Sequence, residues 1–126
     1  MSETAGYLLD SHILIWSLYE PAKLPTRYVP ILESDSLTWI SAATVWEVEI
    51  KRVAGRLPIP TDIWARAAEV GHGFVAIEPA HAFLAATLPM LHTDPFDRML
   101  VAQAMIEDFT LMSVDADIRR YELPIV

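Results

Sequence analysis

Apolar positions in this chain fall in short blocks that alternate between a continuous period and a helical one. Residues 7–9 are a brief apolar run that stops at Asp10, and Ile13, Leu14, Trp16 and Leu18 follow at near-helical spacing, which predicts a strand and then a helix. Prolines 21, 25 and 30 interrupt the pattern, so 20–35 reads as a loop with a short, proline-limited helix after Thr26. Residues 37–40 predict a second buried strand, and Ser41 is suited to cap a helix over 42–54 with Gly55 just past its end. After the loop at 57–60, Thr61 or Asp62 caps a helix that closes at Gly71 or Gly73, and 74–77 predict the third strand. Pro79 opens a short alanine-rich helix, and Asp94, Pro95 and Phe96 open a nearly all-apolar one that runs to about Asp108. Residues 110–114 predict the last long strand, 118–120 a helical turn, and 123–126 one more strand.

Short apolar strands alternating with helices imply an α/β fold, with a parallel sheet of four to five strands covered by helices on both faces. No repeat, low-complexity tract or long linker divides the sequence, so residues 1–126 are expected to form a single domain. At 126 residues and 53% hydrophobic content, the chain can fill one core. Charge and composition then narrow the function. Nine basic residues against seventeen acidic ones give 9 − 17 = −8, which argues against binding nucleic acid through bulk positive charge. The lack of cysteine excludes a disulfide framework, a thiol nucleophile and a thiolate-bound zinc. No apolar run approaches the roughly 18 residues of a membrane span, and no leader-like N-terminus is evident, so a soluble, cytoplasmic protein is expected. Glycine-rich phosphate loops are missing as well.

The acids are placed where open α/β sheets bind ligands, outside the carboxyl ends of the strands. Asp10 follows the first strand, Asp115 follows the last long one, Glu47 lies within two turns of the helix leaving the second strand, and Asp97 is in the first turn of the long apolar helix. Each has a plainer reading. Asp10, Asp94 and Asp115 suit helix caps, and Glu47 suits an i,i+4 pair with Lys51. Together, however, carboxylates converging in one cleft repel each other and call for a cation, and oxygen donors favour Mg²⁺ or Mn²⁺ over zinc. His12, His72, His81 and His92 have no metal-ligand spacing and read as ordinary loop or helix residues. Trp16, Trp39, Trp46 and Trp64 could stack bases, but their apolar surroundings in sequence favour core packing.

Three segments, LLDSHILIW from Leu8, SAATVWEVEIKRVAGRL from Ser41 and HTDPFDRMLVAQA from His92, together resemble the PIN-domain ribonucleases, and among them the VapC-type toxins of bacterial toxin-antitoxin pairs. The resemblance implies a three-layer α/β/α PIN-like domain. It matches Asp10, Glu47 and Asp97 to the family's acids and Asp115 to its fourth, with Asp117 as the alternative in SVDAD. These residues would be the catalytic set and would hold Mg²⁺ or Mn²⁺. Ser11 and Ser113 fall where the family often has a small hydroxyl residue that orients a carboxylate or water, and Arg98 is a candidate for contacting substrate phosphate. The implied activity is a metal-dependent endoribonuclease, with a deprotonated water attacking the phosphodiester and leaving a 5′ phosphate and a 3′ hydroxyl. Glu47 would complete a second metal site or act as general base through a bound water. The implied partners are RNA, a cognate antitoxin and a second copy of the chain. Two other readings compete: a receiver-like, Mg²⁺-binding signalling module, which would need an Asp after the middle strand and a later Lys, and an inactive PIN-like module that only binds a partner.

Overall fold

The computed structural model describes residues 5–126. Strand β1 (Tyr7–Leu9) leads into α1 (Ser11–Tyr19), followed by two 3-10 turns (Pro21–Lys23 and Thr26–Tyr28) and α2 (Val29–Glu33). Then come β2 (Thr38–Ser41), α3 (Ala42–Val53), α4 (Ile63–Val70), β3 (Gly73–Val75), α5 (Pro79–Thr87), α6 (Pro95–Glu107), β4 (Thr110–Met112) and a 3-10 turn (Ile118–Arg120). The four strands run parallel in the order β3-β2-β1-β4.

The expected elements are present, and their ends follow local chemistry. Ser41 caps α3, its Oγ accepting from the Ala43 amide at 3.0 Å. Gly71, at φ +112°, closes α4 in a conformation that L side chains rarely adopt. The third strand is displaced from 74–77 to Gly73–Val75. Gly73 lies against the Trp39 ring, where a Cβ would come within 2.5 Å, so the strand begins at the one residue that allows this approach. It stops short of Ile77 because the Ala76 carbonyl is turned to Gln103 Nε2, 3.3 Å away. The expected strand at 123–126 reduces to one bridge between Leu111 and Ile125.

Pleating divides the apolar residues between the two helical layers. Leu8 packs with Leu100, Val101, Ala104 and Leu111, whereas Leu9 packs on the other side with Ile13, Tyr28 and Met112. A further cluster joins Ile40 to Leu14, Val48, Ile63 and Ala67. Burying side chains of this size contributes roughly 1.5–3 kcal/mol each. No helix among the described residues is long and apolar enough to cross a membrane.

This topology fixes where a site forms. The chain builds outward from β1 to β2 and β3 on one side, then returns to place β4 on the other. The strand order therefore reverses at β1, and a crevice opens outside the carboxyl ends of β1 and β4. Asp10 and Ser113 stand at that crevice.

Candidate active site

Asp10 is nearly buried, at 4% exposure, and holds two bonds in different directions. One carboxylate oxygen accepts from the Ile13 amide at 2.9 Å, so the capping role is real. The other accepts from Ser113 Oγ at 2.5 Å, from the end of β4. Burial pushes the Asp10 carboxyl up from its ordinary value, and the donors from Ser113 and Ile13 oppose that rise. The same Ser113 hydroxyl accepts from the Asp115 amide at 3.1 Å. Asp115 Oδ1 in turn accepts from the amides of Asp117 and Ile118 at 2.8 and 2.9 Å. Partial burial raises Asp115, but the Ile118 amide, His92 and the Asp117 amide outweigh it and hold the carboxyl below its ordinary value. Of the two acids in SVDAD, Asp115 interacts electrostatically with both Asp10 and Asp97, whereas Asp117 is exposed and faces Arg120 at 3.7 Å.

Across the crevice, Asp94 caps α6 by accepting from the Phe96 and Asp97 amides at 2.8 and 3.1 Å. Asp97 is thereby set in the first helical turn, half-buried. Burial first, then the neighbouring charges of Asp94 and Glu47, push its carboxyl up to about 7, against the pull of His92. Glu47, 8% exposed on α3, lies 3.4 Å from Lys51 Nζ. The pair expected of a solvated face thus coexists with a buried carboxylate. The charge interactions link Glu47 to Asp97, Asp97 to Asp115, and Asp115 to Asp10 in one continuous set. Ser11 opens α1 and, with His12, Glu47 and Lys51, lines an adjoining cavity of about 210 Å³.

Three residues differ from the expectations. Arg98 is 6% exposed, and its guanidinium donates to the carbonyls of Ala85, Leu88, Pro89 and His92 at 2.9–3.2 Å. It clamps the turn between α5 and α6 and has no path to a substrate phosphate. A guanidinium satisfies several inward-facing carbonyls at once, and this is why a charge can be buried there. Trp46 is 62% exposed and rests edge-on against Phe96, with ring centroids 5.2 Å apart, so it is not a core residue. His92, read as an ordinary loop residue, stands at the centre of the site: its Nε2 is 3.0 Å from Asp97 Oδ2 and 3.4 Å from Asp115 Oδ1. Its position two residues before the Asp94 cap was the available signal.

The set fits a hard divalent cation. Its carboxylate donors are all oxygen, and at Asp97 the charges of Asp94, Glu47 and Asp115 add to burial in raising the carboxyl, negative charge that a cation would offset. Donor atoms of His92, Asp115 and Asp117 lie within 4.8 Å of one another. The His92 nitrogen is a poor ligand nonetheless. Its Nδ1 accepts from the Asp94 amide at 3.1 Å, so the neutral ring carries its proton on Nε2, the atom facing the acids.

The chain is 31% identical to "Ribonuclease VapC22" of Mycobacterium tuberculosis over 124 residues, covering 93% of this chain and 92% of that protein. Its fold is similar to that in the crystal structure of VapBC2 from Rickettsia felis bound to a DNA fragment, with a TM-score of 0.70, 15% identity and coverage of 95% and 96%. It is also similar to FitAcB from Neisseria gonorrhoeae, with a TM-score of 0.62, 17% identity and coverage of 94% and 95%. The sequence pattern of the PIN domain matches residues 7–123, and on that match the chain belongs to the PIN domain family.

Proposed function

We propose that this chain is a metal-dependent endoribonuclease that acts as the toxin of a toxin-antitoxin pair. The observation that carries the reading is the continuous acidic set of Glu47, Asp97, Asp115 and Asp10 at the strand-order reversal, where burial and the neighbouring acids together lift Asp97 to about 7. The 31% identity to a protein named as a ribonuclease supports RNA as the substrate. The receiver-like alternative loses its ground, because it needs a lysine after a later strand and the sequence has none beyond Lys51.

Asp10, Asp97 and Asp115 would hold Mg²⁺ or Mn²⁺, with Glu47 completing the set. When bound, the cation supplies charge neutralisation at the phosphoryl oxygens and lowers the pKa of a coordinated water. The remaining work belongs to the chain. Ser113 orients the Asp10 carboxylate, leaving the Ile13 bond to fix its other oxygen. Asp97, with its raised pKa, releases its proton near neutral pH and so adopts its charged form when a cation compensates it. Glu47 faces Asp97 from α3 and is placed to accept a proton through water. With water attacking in line with the leaving 3′ oxygen, which takes up a proton, the products are a 5′ phosphate and a 3′ hydroxyl. End-group mapping of cleaved RNA tests this: 2′,3′-cyclic phosphate ends would contradict it, because they arise from attack by the ribose hydroxyl.

The reading includes two protein partners, an antitoxin polypeptide and a second copy. Support for the second copy lies on α3, where Trp46, Ile50 and Val53 form an exposed apolar stripe at i, i+4 and i+7, with exposures of 62%, 40% and 77%. Light scattering on the purified protein is expected to give a dimer, and Trp46→Glu a monomer. A monomeric wild type would remove this part of the proposal.

A further inference from the structure

We infer that His92 is a positioning residue of the acidic site, a ring nitrogen fixed between Asp97 and Asp115 whose N–H attracts both carboxylates and holds them toward each other. The inference rests on the reading of these acids as a cation site and names a part of it that carboxylates alone cannot supply.

The ring is constrained from several directions. The His92 amide donates to Tyr121 Oη at 3.1 Å, and its carbonyl accepts from Arg98 Nη1 at 3.2 Å, so the backbone is held on both sides. Tyr121 is itself anchored, donating to the Pro89 carbonyl at 2.7 Å. Within the ring, Nδ1 is occupied by the Asp94 amide. The segment forms a closed circuit: the Asp94 amide fixes His92, the Asp94 carboxylate fixes the Asp97 amide, and His92 Nε2 reaches the Asp97 carboxylate. Backbone bonds thus determine both the position of the ring and the nitrogen that bears its proton.

Nε2 is buried and lies between Asp97 Oδ2 and Asp115 Oδ1, without an aligned hydrogen bond to either. An N–H placed between two carboxylates from different elements attracts one oxygen of each and leaves the opposite oxygens for a cation. It lies between the start of α6 and the loop after β4. Groups that orient metal-binding carboxylates in this way are typically worth 10-fold to 100-fold in metal affinity when removed.

Calorimetric titration of Mn²⁺ into the full chain at pH 8 tests the inference, comparing wild type with His92→Ala, His92→Gln and His92→Asn. His92→Ala is expected to bind Mn²⁺ at least about tenfold more weakly, and one of the amide variants, which retain an N–H donor, to recover part of that loss. Circular dichroism confirms that the variants are folded, and if His92→Ala is not, the amide variants carry the comparison. A second readout is independent of metal: nitrogen-15 spectra of the histidine rings are expected to show His92 with its proton on Nε2. Equal Mn²⁺ binding by wild type and His92→Ala overturns the inference, as does a proton on Nδ1. If the wild type binds no Mn²⁺, it is the metal reading of the site that fails, and the ring spectrum still decides whether His92 is the donor described.

Discussion

Ser113 Oγ donates to Asp10 Oδ2 at 2.5 Å across 103 positions of sequence, joining the ends of two neighbouring parallel strands inside the crevice where the strand order reverses. Both residues are essentially buried, so the bond sits where water cannot substitute for it. Ser113→Ala is expected to cost about 1–3 kcal/mol, the penalty of leaving a buried acceptor unsatisfied. The Asp10 carboxyl is already raised by burial, and losing its Ser113 donor raises it further. An acid with a raised folded pKa destabilises the fold once it must ionise, so the loss is expected to be larger at pH 8 than at pH 4. Urea unfolding at the two pH values checks this.

Asp97 carries the same sign of linkage more strongly. Its carboxyl moves from an ordinary value of 3.8 to about 7, so the folded protein binds more protons than the unfolded chain between those values, and metal-free stability falls as pH rises through that window. Asp97→Asn removes the ionisation. It is expected to stabilise the metal-free protein by about 1–2 kcal/mol at pH 8, allowing for solvent screening of a partly exposed group, and by little at pH 4. Unfolding curves that show no gain at pH 8 would contradict a raised Asp97 carboxyl.

Cation binding should reverse that penalty. Excess Mn²⁺ is expected to raise the melting temperature of the wild type more at pH 8 than at pH 5, because at pH 5 Asp97 retains the proton the ion must displace. Asp97→Asn should lose most of the pH 8 response. Thermal melts with Mn²⁺ and with EDTA provide the comparison.

Arg98 yields a structural prediction. Its guanidinium serves several carbonyls in the turn between α5 and α6, among them His92. Lysine keeps the charge but not the planar fork, so Arg98→Lys is expected to destabilise the fold by about 2–4 kcal/mol and Arg98→Ala by more. Equilibrium unfolding measures both, and wild-type stability for Arg98→Lys would show that the clamp is unimportant.

What was legible in the sequence follows from how local each signal is. Strand ends followed by acids located Asp10 and Asp115, and the Asp94-Pro95-Phe96-Asp97 start of α6 is a capping pattern that works within one turn. Glu47 was placed by its helix and by the family pattern. Ser113 was marked by the family pattern, while its bond to Asp10 depends on strands β1 and β4 becoming neighbours. His92 was missed because its ring is set by a backbone amide two residues away and by Tyr121 and Arg98, none of which forms a recognisable spacing. Arg98 was misread for a related reason: a charge beside acids suggests substrate binding until the carbonyls that surround it are known. Trp46 was expected in the core because apolar periodicity does not distinguish a face packed within the fold from one left exposed on α3.

The central claim is that the four acids act as one cation-dependent site on RNA. Purified wild type and Asp97→Asn should be incubated with a structured RNA in Mn²⁺ and, separately, in EDTA. Cleavage is expected from the wild type in Mn²⁺ alone, with loss of at least about a hundredfold in Asp97→Asn, the scale on which transition-state electrostatic groups act. Cleavage that survives EDTA, or equal cleavage by the two proteins, would contradict it.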